Sequence, residues 1–127
     1  MRYLIDSSAW IEYFSGSQEG EEVSKILAQD SEIYVIAPII SEVVRYVSAN
    51  NKNYELAYAS IIKNSKIFEI SPKLAKDAGL MNAELRKKFG NFPLIDALII
   101  CSAKELNAKV VTTDNHFKHF KEAIVLK

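Results

Sequence analysis

The chain has 127 residues, of which 49% are hydrophobic and 25% are charged, and these values are ordinary for one globular domain with a single buried core. Lysine and arginine together number 16, as do aspartate and glutamate, so the formal net charge is zero. No overall basicity indicates a nucleic-acid partner, and any affinity for a polyanion must come from a local patch. We predict one domain spanning residues 1–127.

A single cysteine, Cys101, lies within the apolar run at residues 98–101. One cysteine excludes an internal disulfide framework, and its apolar setting is typical of a small buried hydrophobe. The apolar start at residues 3–5 is interrupted by Asp6, and no uninterrupted apolar stretch reaches the ~18 residues of a membrane span. We therefore expect a cytoplasmic protein without a membrane partner.

Short apolar runs alternate with helical patterns along the chain. In chain order the predicted elements are a strand at 3–5, helices at 9–14 and 21–28, a strand at 33–36, helices at 38–48 and 54–63, a weaker strand at 66–70, helices at 72–89 and 93–106, and strands at 109–112 and 123–126. This alternation favours an α/β fold with a central parallel sheet of four or five strands, covered by helices on both faces.

Three prolines mark where helices are expected to begin. Pro38, Pro72 and Pro93 each stand at the start of a helical pattern, and a first helical position tolerates proline because its missing N–H has no partner within the helix. The pair Gly90-Asn91 separates the two late helices. We find neither an internal repeat nor an interdomain linker.

Three carboxylates follow predicted strands. Asp6 lies directly after the first strand, Glu42 lies in the first turns of the helix opened by Pro38, and Asp114 follows the strand at 109–112. Each has a plain structural interpretation, since aspartate caps helices and glutamate complements the dipole of a helix N-terminus. However, the carboxyl ends of parallel strands are where α/β proteins bind ligands, and these three acids are expected to share that edge.

A fourth carboxylate, Asp96, opens a helix that is apolar nearly all round. Such a helix is normally buried, and a buried carboxylate without a partner is expensive. Asp96 could instead serve the helix dipole, and the sequence leaves both interpretations open.

Carboxylates that share one edge need a positive charge among them. Two like charges ~4 Å apart repel by about 4 kcal/mol at an effective dielectric of ~20. Carboxylate oxygens are hard ligands that suit Mg²⁺ or Mn²⁺, whereas thiolates and a matched histidine pair for zinc are missing. His116 and His119 are spaced to share a helix face, but we interpret them as surface residues and do not assign them as ligands.

Four segments carry a family resemblance through their order and spacing. They read Leu-Ile-Asp-Ser-Ser-Ala-Trp-Ile at 4–11, Ser-Glu at 41–42, Leu-Ile-Asp-Ala-Leu-Ile at 94–99 and Thr-Thr-Asp-Asn-His-Phe at 112–117. On these segments the chain resembles the PIN domain over nearly its whole length, and in size and motif order it is similar to the VapC toxins of toxin–antitoxin systems. The resemblance implies a three-layer α/β/α fold.

The same resemblance implies a ribonuclease that depends on Mg²⁺ or Mn²⁺ and leaves a 5′-phosphate. The four carboxylates match the family's catalytic acids. Asp6, Asp96 and Asp114 would hold the metal, and Glu42 would either join them or orient the attacking water. The roles of ligand and water-orienting group stay open for Glu42.

Further residues and partners follow from the resemblance. Ser8 and Thr112 match hydroxyl positions beside the acids. Proteins of this type often form homodimers, and a cognate antitoxin holds them inactive by covering the cleft with its C-terminal segment. We therefore expect a homodimer, an antitoxin partner and an RNA substrate.

Basic residues able to contact RNA phosphates are Arg45, one turn beyond Glu42, and the run Arg86-Lys87-Lys88. The run can equally be a solvated helix face. Among aromatic residues near the acids, Phe92 could stack on bases, and Trp10 could either do so or pack in the core.

Other protein classes place an aspartate after the first strand, but they need residues that this chain lacks. A phosphoaspartyl phosphatase would need a second acid where Ser8 stands, and a receiver domain would need a paired acid near Asp6 and a lysine after a late strand; neither is present. An RNA-processing nuclease outside a toxin–antitoxin pair, or an idle PIN-like module that binds RNA or protein without cutting, remains open. Retention of all four acids disfavours the idle module.

Overall fold

The computed structural model describes all residues of the chain. Its elements in chain order are β1 (Arg2–Ile5), α1 (Ser7–Ser15), α2 (Gln18–Ala28), β2 (Glu32–Val35), α3 (Ala37–Ala49), α4 (Tyr54–Asn64), β3 (Lys66–Ile67), α5 (Pro72–Phe89), α6 (Leu94–Leu106), β4 (Lys109–Thr112), a 3₁₀ helix (Asn115–His119) and β5 (Ala123–Val125).

Five parallel strands form one sheet in the order β3-β2-β1-β4-β5. This confirms the predicted α/β fold with its central parallel sheet. In the central strand, Leu4 pairs with Tyr34 on one side and Val110 on the other. Because β1, β2 and β4 are neighbours, the residues that follow them lie at one edge of the sheet.

The strand β3 is shorter than the pattern at 66–70 predicts. In β3, Lys66 and Ile67 pair with Tyr34 and Val35. Beyond Val35 the chain turns into α3, so the residues after Ile67 have no continuing strand beside them.

The first helices begin earlier than predicted, because caps set their starts. Asp6 caps α1 by accepting from the backbone N–H of Ser7, and Ser17 caps α2 by accepting from that of Gly20. Between the helices, Gly16 adopts a left-handed conformation with φ of 73°, which glycine adopts without strain. A Cβ at Gly20 would overlap the carbonyl of Glu12, so the close packing of α1 on α2 requires glycine there.

The core lies around β1, β2 and β4, where α1, α3 and α6 supply buried side chains. Trp10 and Phe117 are its largest fully buried members. The helices also pack against one another in pairs: α1 contacts α2, α3 contacts α4, and α5 contacts α6. Cys101 is half-buried beside Met81, with 3.6 Å between the sulfurs. No helix combines the length and the apolar character needed to cross a membrane.

Candidate active site

The structure brings the four predicted acids together at the carboxyl edge of the sheet. Asp6 follows β1, Glu42 lies in the second turn of α3 after β2, and Asp114 follows β4. Asp96 lies in the first turn of α6, and the charges of the other three acids act on it. Asp6 and Asp96 are buried, whereas Glu42 and Asp114 are partly exposed.

Asp6 is held by hydrogen bonds to both carboxylate oxygens. Its Oδ1 accepts from the Ser7 backbone N–H at 2.7 Å, and its Oδ2 accepts from Thr112 Oγ1 at 2.7 Å and from Ser8 Oγ at 3.1 Å. Burial raises the pKa of Asp6, and the three hydrogen bonds oppose that rise. Asp6 is thus a helix cap and a member of the acid cluster at once.

Ser8 and Thr112 also tie the cluster to the loop after β4. Ser8 Oγ accepts from the Thr113 backbone N–H at 3.1 Å, and Thr112 Oγ1 accepts from the Asp114 backbone N–H at 3.0 Å. Each hydroxyl therefore donates to Asp6 and accepts from a backbone group. The two hydroxyls set the position of the Asp6 carboxylate relative to Asp114.

Glu42 is positioned by Ser7, a residue to which the sequence interpretation gave no role. Ser7 Oγ donates to Glu42 Oε1 at 2.9 Å, which joins the starts of α1 and α3. The signal in the sequence was the placement of Ser7 between Asp6 and Ser8 at the end of a strand, where every polar side chain is a candidate.

Asp96 has an unfavourable electrostatic environment. The residue is 7% exposed, and its Oδ2 is buried without a hydrogen-bond partner. Burial, followed by the charges of Asp6, Asp114 and Glu42, raises the pKa of Asp96 to about 7. No lysine or arginine pairs with this buried oxygen, so its negative charge is costly in the folded state.

His116 lies closer to the acids than a simple surface residue would. Its Nδ1 is 3.2 Å from Asp114 Oδ1 and 3.7 Å from Asp96 Oδ2, although its side chain is 51% exposed. The Asp114 cap causes this placement, because Asp114 Oδ1 accepts from the His116 backbone N–H at 2.9 Å. Spacing along an α-helix did not predict this geometry, since the segment forms a 3₁₀ helix.

The cluster suits a divalent cation. The ligand atoms of Asp96, Asp114 and His116 all lie within 4.8 Å of one another, and the unpartnered Oδ2 of Asp96 is among the atoms facing this space. Carboxylates favour Mg²⁺ and Mn²⁺, and an imidazole suits transition metals. An acidic cluster able to hold a metal is therefore present.

The predicted RNA-binding residues lie outside the acid cluster. Arg45 is exposed on α3, and Arg86, Lys87 and Lys88 are exposed in the last turn of α5. The expectation that Phe92 stacks on bases is wrong, since it is 3% exposed and packs against Phe120.

Trp10 is fully buried and packs in the core, where its ring stacks on that of Phe14. Of the two interpretations of Trp10, core packing is the one that the structure supports.

Solved structures of similar fold include proteins of toxin–antitoxin systems. A chain of VapBC2 from Rickettsia felis, solved bound to a DNA fragment from its promoter, has a TM-score of 0.77 at 21% identity and covers 98% of this chain and 97% of its own. VapC20 from Mycobacterium tuberculosis, described as a sarcin–ricin loop cleaving toxin, has a TM-score of 0.73 at 12% identity, with 94% and 95% covered. VapBC-1 from nontypeable Haemophilus influenzae has a TM-score of 0.68 at 20% identity, with 96% and 92% covered.

No curated protein matches the chain significantly. The model of the PIN domain family, however, matches residues 3–123. Because this match extends over nearly the whole chain, the protein belongs to the PIN domain family.

Proposed function

We propose that this protein is a Mg²⁺- or Mn²⁺-dependent endoribonuclease and the toxin of a VapBC-type toxin–antitoxin pair. The observation that carries the proposal is the buried Asp96 Oδ2, which has no hydrogen-bond partner although three further acids act on it. Such a site is unfavourable until a cation enters it. Membership of the PIN domain family and the likeness in fold to VapC20, a sarcin–ricin loop cleaving toxin, support the choice of RNA as substrate.

Asp6, Asp96 and Asp114 would hold the metal. His116 would assist them, because its ligand atom lies within 4.8 Å of those of Asp96 and Asp114. A divalent ion held there would supply a water of lowered pKa and would neutralise charge on the phosphate and the leaving oxygen. Ser7 donates a hydrogen bond to Oε1 of Glu42. The other carboxylate oxygen of Glu42 would orient the attacking water or join the metal ligands. Ser8 and Thr112 fix the Asp6 carboxylate for this task.

The direct test is cleavage of single-stranded RNA by the purified protein. Mg²⁺ or Mn²⁺ should support cleavage, excess chelator should abolish it, and the new 5′ ends should carry phosphate. Asp6→Asn should remove activity, whereas Asp30→Asn, at an exposed acid before β2, should not. Undiminished cleavage in chelator would contradict the metal mechanism.

A groove of about 620 Å³ between α1, α3 and α4 supports an antitoxin partner. Ile11, Phe14, Val47 and Leu56 line it, and Leu56 is 68% exposed. An amphipathic antitoxin segment would cover these side chains.

Co-expression with the product of any adjacent upstream reading frame would test this partner. Leu56→Glu should abolish co-purification, whereas Leu80→Glu on α5, 64% exposed and outside the groove, should not. Equal co-purification of both variants would remove the groove from the interface.

We also propose that the protein forms a homodimer through an apolar stripe on α4. Tyr54, Tyr58 and Ile62 recur every four residues on α4 and are between 42% and 46% exposed, so they share one face of the helix. A second copy of the chain would cover this apolar stripe. Light scattering should report a dimer for the wild type and a monomer for Tyr58→Glu, and a dimer in both would exclude this face.

A further inference from the structure

An exposed aromatic pair lies where α5 meets the 3₁₀ helix. The rings of Phe89 and His119 stack with centroids 5.0 Å apart and planes 12° apart. Phe89 is 42% exposed and His119 is also exposed. Both rings therefore keep part of their surface exposed to the solvent, unlike Phe92 and Phe117, which are buried.

The pair is close to the acid cluster. His119 comes three residues after His116 in the 3₁₀ helix, and residues three apart lie on the same side of such a helix, separated by a rise of about 6 Å. His116 Nδ1 itself is 3.2 Å from Asp114 Oδ1. A polymer bound at the acids would thus meet the Phe89–His119 pair within about one further unit along its backbone.

The surroundings of the pair are basic. Lys88 Nζ lies 5.5 Å from the centroid of the Phe89 ring. Arg86 and Lys88 form no ion pair with a carboxylate, and Lys87 has only Glu84, at 3.3 Å. Lys118 precedes His119 and is exposed. Aromatic surface interleaved with unpaired positive charge is the arrangement that binds single-stranded nucleic acid.

We propose that Phe89 and His119 form a stacking platform that holds the base of a nucleotide next to the cleaved phosphodiester of single-stranded RNA. The inference rests on the proposed ribonuclease function and adds a specificity determinant to it. Every base has a π face that stacks on phenylalanine or histidine, while the neighbouring lysines and arginine meet the phosphates. An RNA occupant is favoured over a protein surface because the platform adjoins both the acids and Arg86 and Lys88, which form no ion pair.

The test separates stacking from phosphate contact. In the cleavage-silent Asp6→Asn background, binding is measured with a short single-stranded RNA that carries 2-aminopurine and with the matching abasic ribose-phosphate oligomer. Phe89→Ala should lower affinity for the full RNA between about five-fold and a hundred-fold, as expected for loss of one base stack. Affinity for the abasic oligomer should stay within about two-fold, and Phe89→Tyr should restore binding and the quenching of 2-aminopurine. Leu80→Ala, on the same helix, is the matched control.

Other results overturn the platform. If Phe89→Ala weakens both oligomers equally or neither, while the melting temperature falls, the pair only docks α5 on the 3₁₀ helix. If Phe89→Ala weakens antitoxin binding and leaves RNA affinity unchanged, the surface serves a protein. A wild-type protein that binds and cuts RNA in either case would keep the ribonuclease function, whereas failure of the wild type to bind or cut RNA would remove both proposals.

Discussion

The two ends of the central sheet hold their charges in opposite ways. At the amino end, Arg2 Nε lies 2.7 Å from Glu32 Oε2 and Lys66 Nζ lies 3.3 Å from Glu32 Oε1. The hydrogen bond from Arg2 holds the pKa of Glu32 below its ordinary value. At the carboxyl end, burial raises the pKa of Asp96 to about 7, and neither lysine nor arginine pairs with it.

At the amino end the charged groups are paired with opposite charges, whereas at the carboxyl end the acids lie together without a paired lysine or arginine. Exposed ion pairs such as those of Glu32 contribute little and can be lost without harm. Converging acids without a cation destabilise the fold, so their retention indicates a task beyond folding. Substitutions at the two ends should therefore have opposite consequences for stability and activity.

The largest contrast is expected from one substitution made at each end. Glu42→Gln should lower RNA cleavage by about 100-fold or more, because even residues that only support metal ligands contribute about 10–100-fold. Glu32→Gln removes two exposed ion pairs and should leave the rate within about two-fold and the melting temperature within about 4 °C. Equal losses in the initial rate of RNA cleavage for the two variants would contradict the expected contrast between the two ends of the sheet.

A smaller effect is expected at the hydroxyl that holds Asp6. Thr112→Val keeps the side-chain shape but removes the 2.7 Å hydrogen bond to Asp6 and the acceptor for the Asp114 backbone N–H. Metal affinity, measured by calorimetry, should fall about 10–100-fold. Thr113→Val is the control, because Thr113 contacts Ser8 through its backbone N–H, which the substitution keeps. Unaltered metal affinity in Thr112→Val would show that the acids need no such support.

The smallest effect concerns the basic turn of α5. Joint replacement of Arg86, Lys87 and Lys88 by alanine should weaken RNA binding and reduce the slope of log affinity against log salt by about 0.7 for each phosphate that the variant no longer neutralises. Metal affinity should not change, since these residues lie outside the acid cluster. Replacement of Lys25 and Lys63, exposed on α2 and α4, gives the matched control. A salt slope equal to that of the wild type would return the turn to the role of a solvated helix face.

The sequence predicted the sheet better than the boundaries of the elements. Apolar runs indicated all five strands. The three central strands, β1, β2 and β4, are apolar because helices bury them, whereas β3 is exposed. The starts of α1 and α2 were placed too late, since the caps Asp6 and Ser17 add a polar first turn that periodicity does not detect. The length of β3 depends on where β2 ends, which is a tertiary property.

For the candidate site, chain order after strands was enough to group Asp6, Glu42 and Asp114, because parallel strands end at one edge. The contact of Ser7 with Glu42 joins two helices and could not be foreseen from spacing. His116 was missed because its approach to Asp114 depends on the capped 3₁₀ turn. Phe92 and Phe89 were indistinguishable as aromatic residues, and only packing separates the buried ring from the exposed one.

The most direct test of the account is the thermal stability of Asp96→Asn with and without Mg²⁺. In chelator, ionisation of Asp96 destabilises the fold increasingly as pH rises from the ordinary value of 3.8 through about 7, because the folded state prefers the protonated form. The neutral variant should therefore melt higher than the wild type at about pH 8, with a gain in stability of up to about 4 kcal/mol, and the difference should shrink at lower pH. Its RNA cleavage should nevertheless be lost.

Mg²⁺ at about a hundred times its dissociation constant should stabilise the wild type by about 2.7 kcal/mol and stabilise Asp96→Asn by less. The control is Asp30→Asn, at an exposed acid outside the cluster, which should melt and respond to Mg²⁺ as the wild type does. A metal-free Asp96→Asn that melts lower than the wild type and keeps the full Mg²⁺ shift would contradict the account and make Asp96 a structural residue.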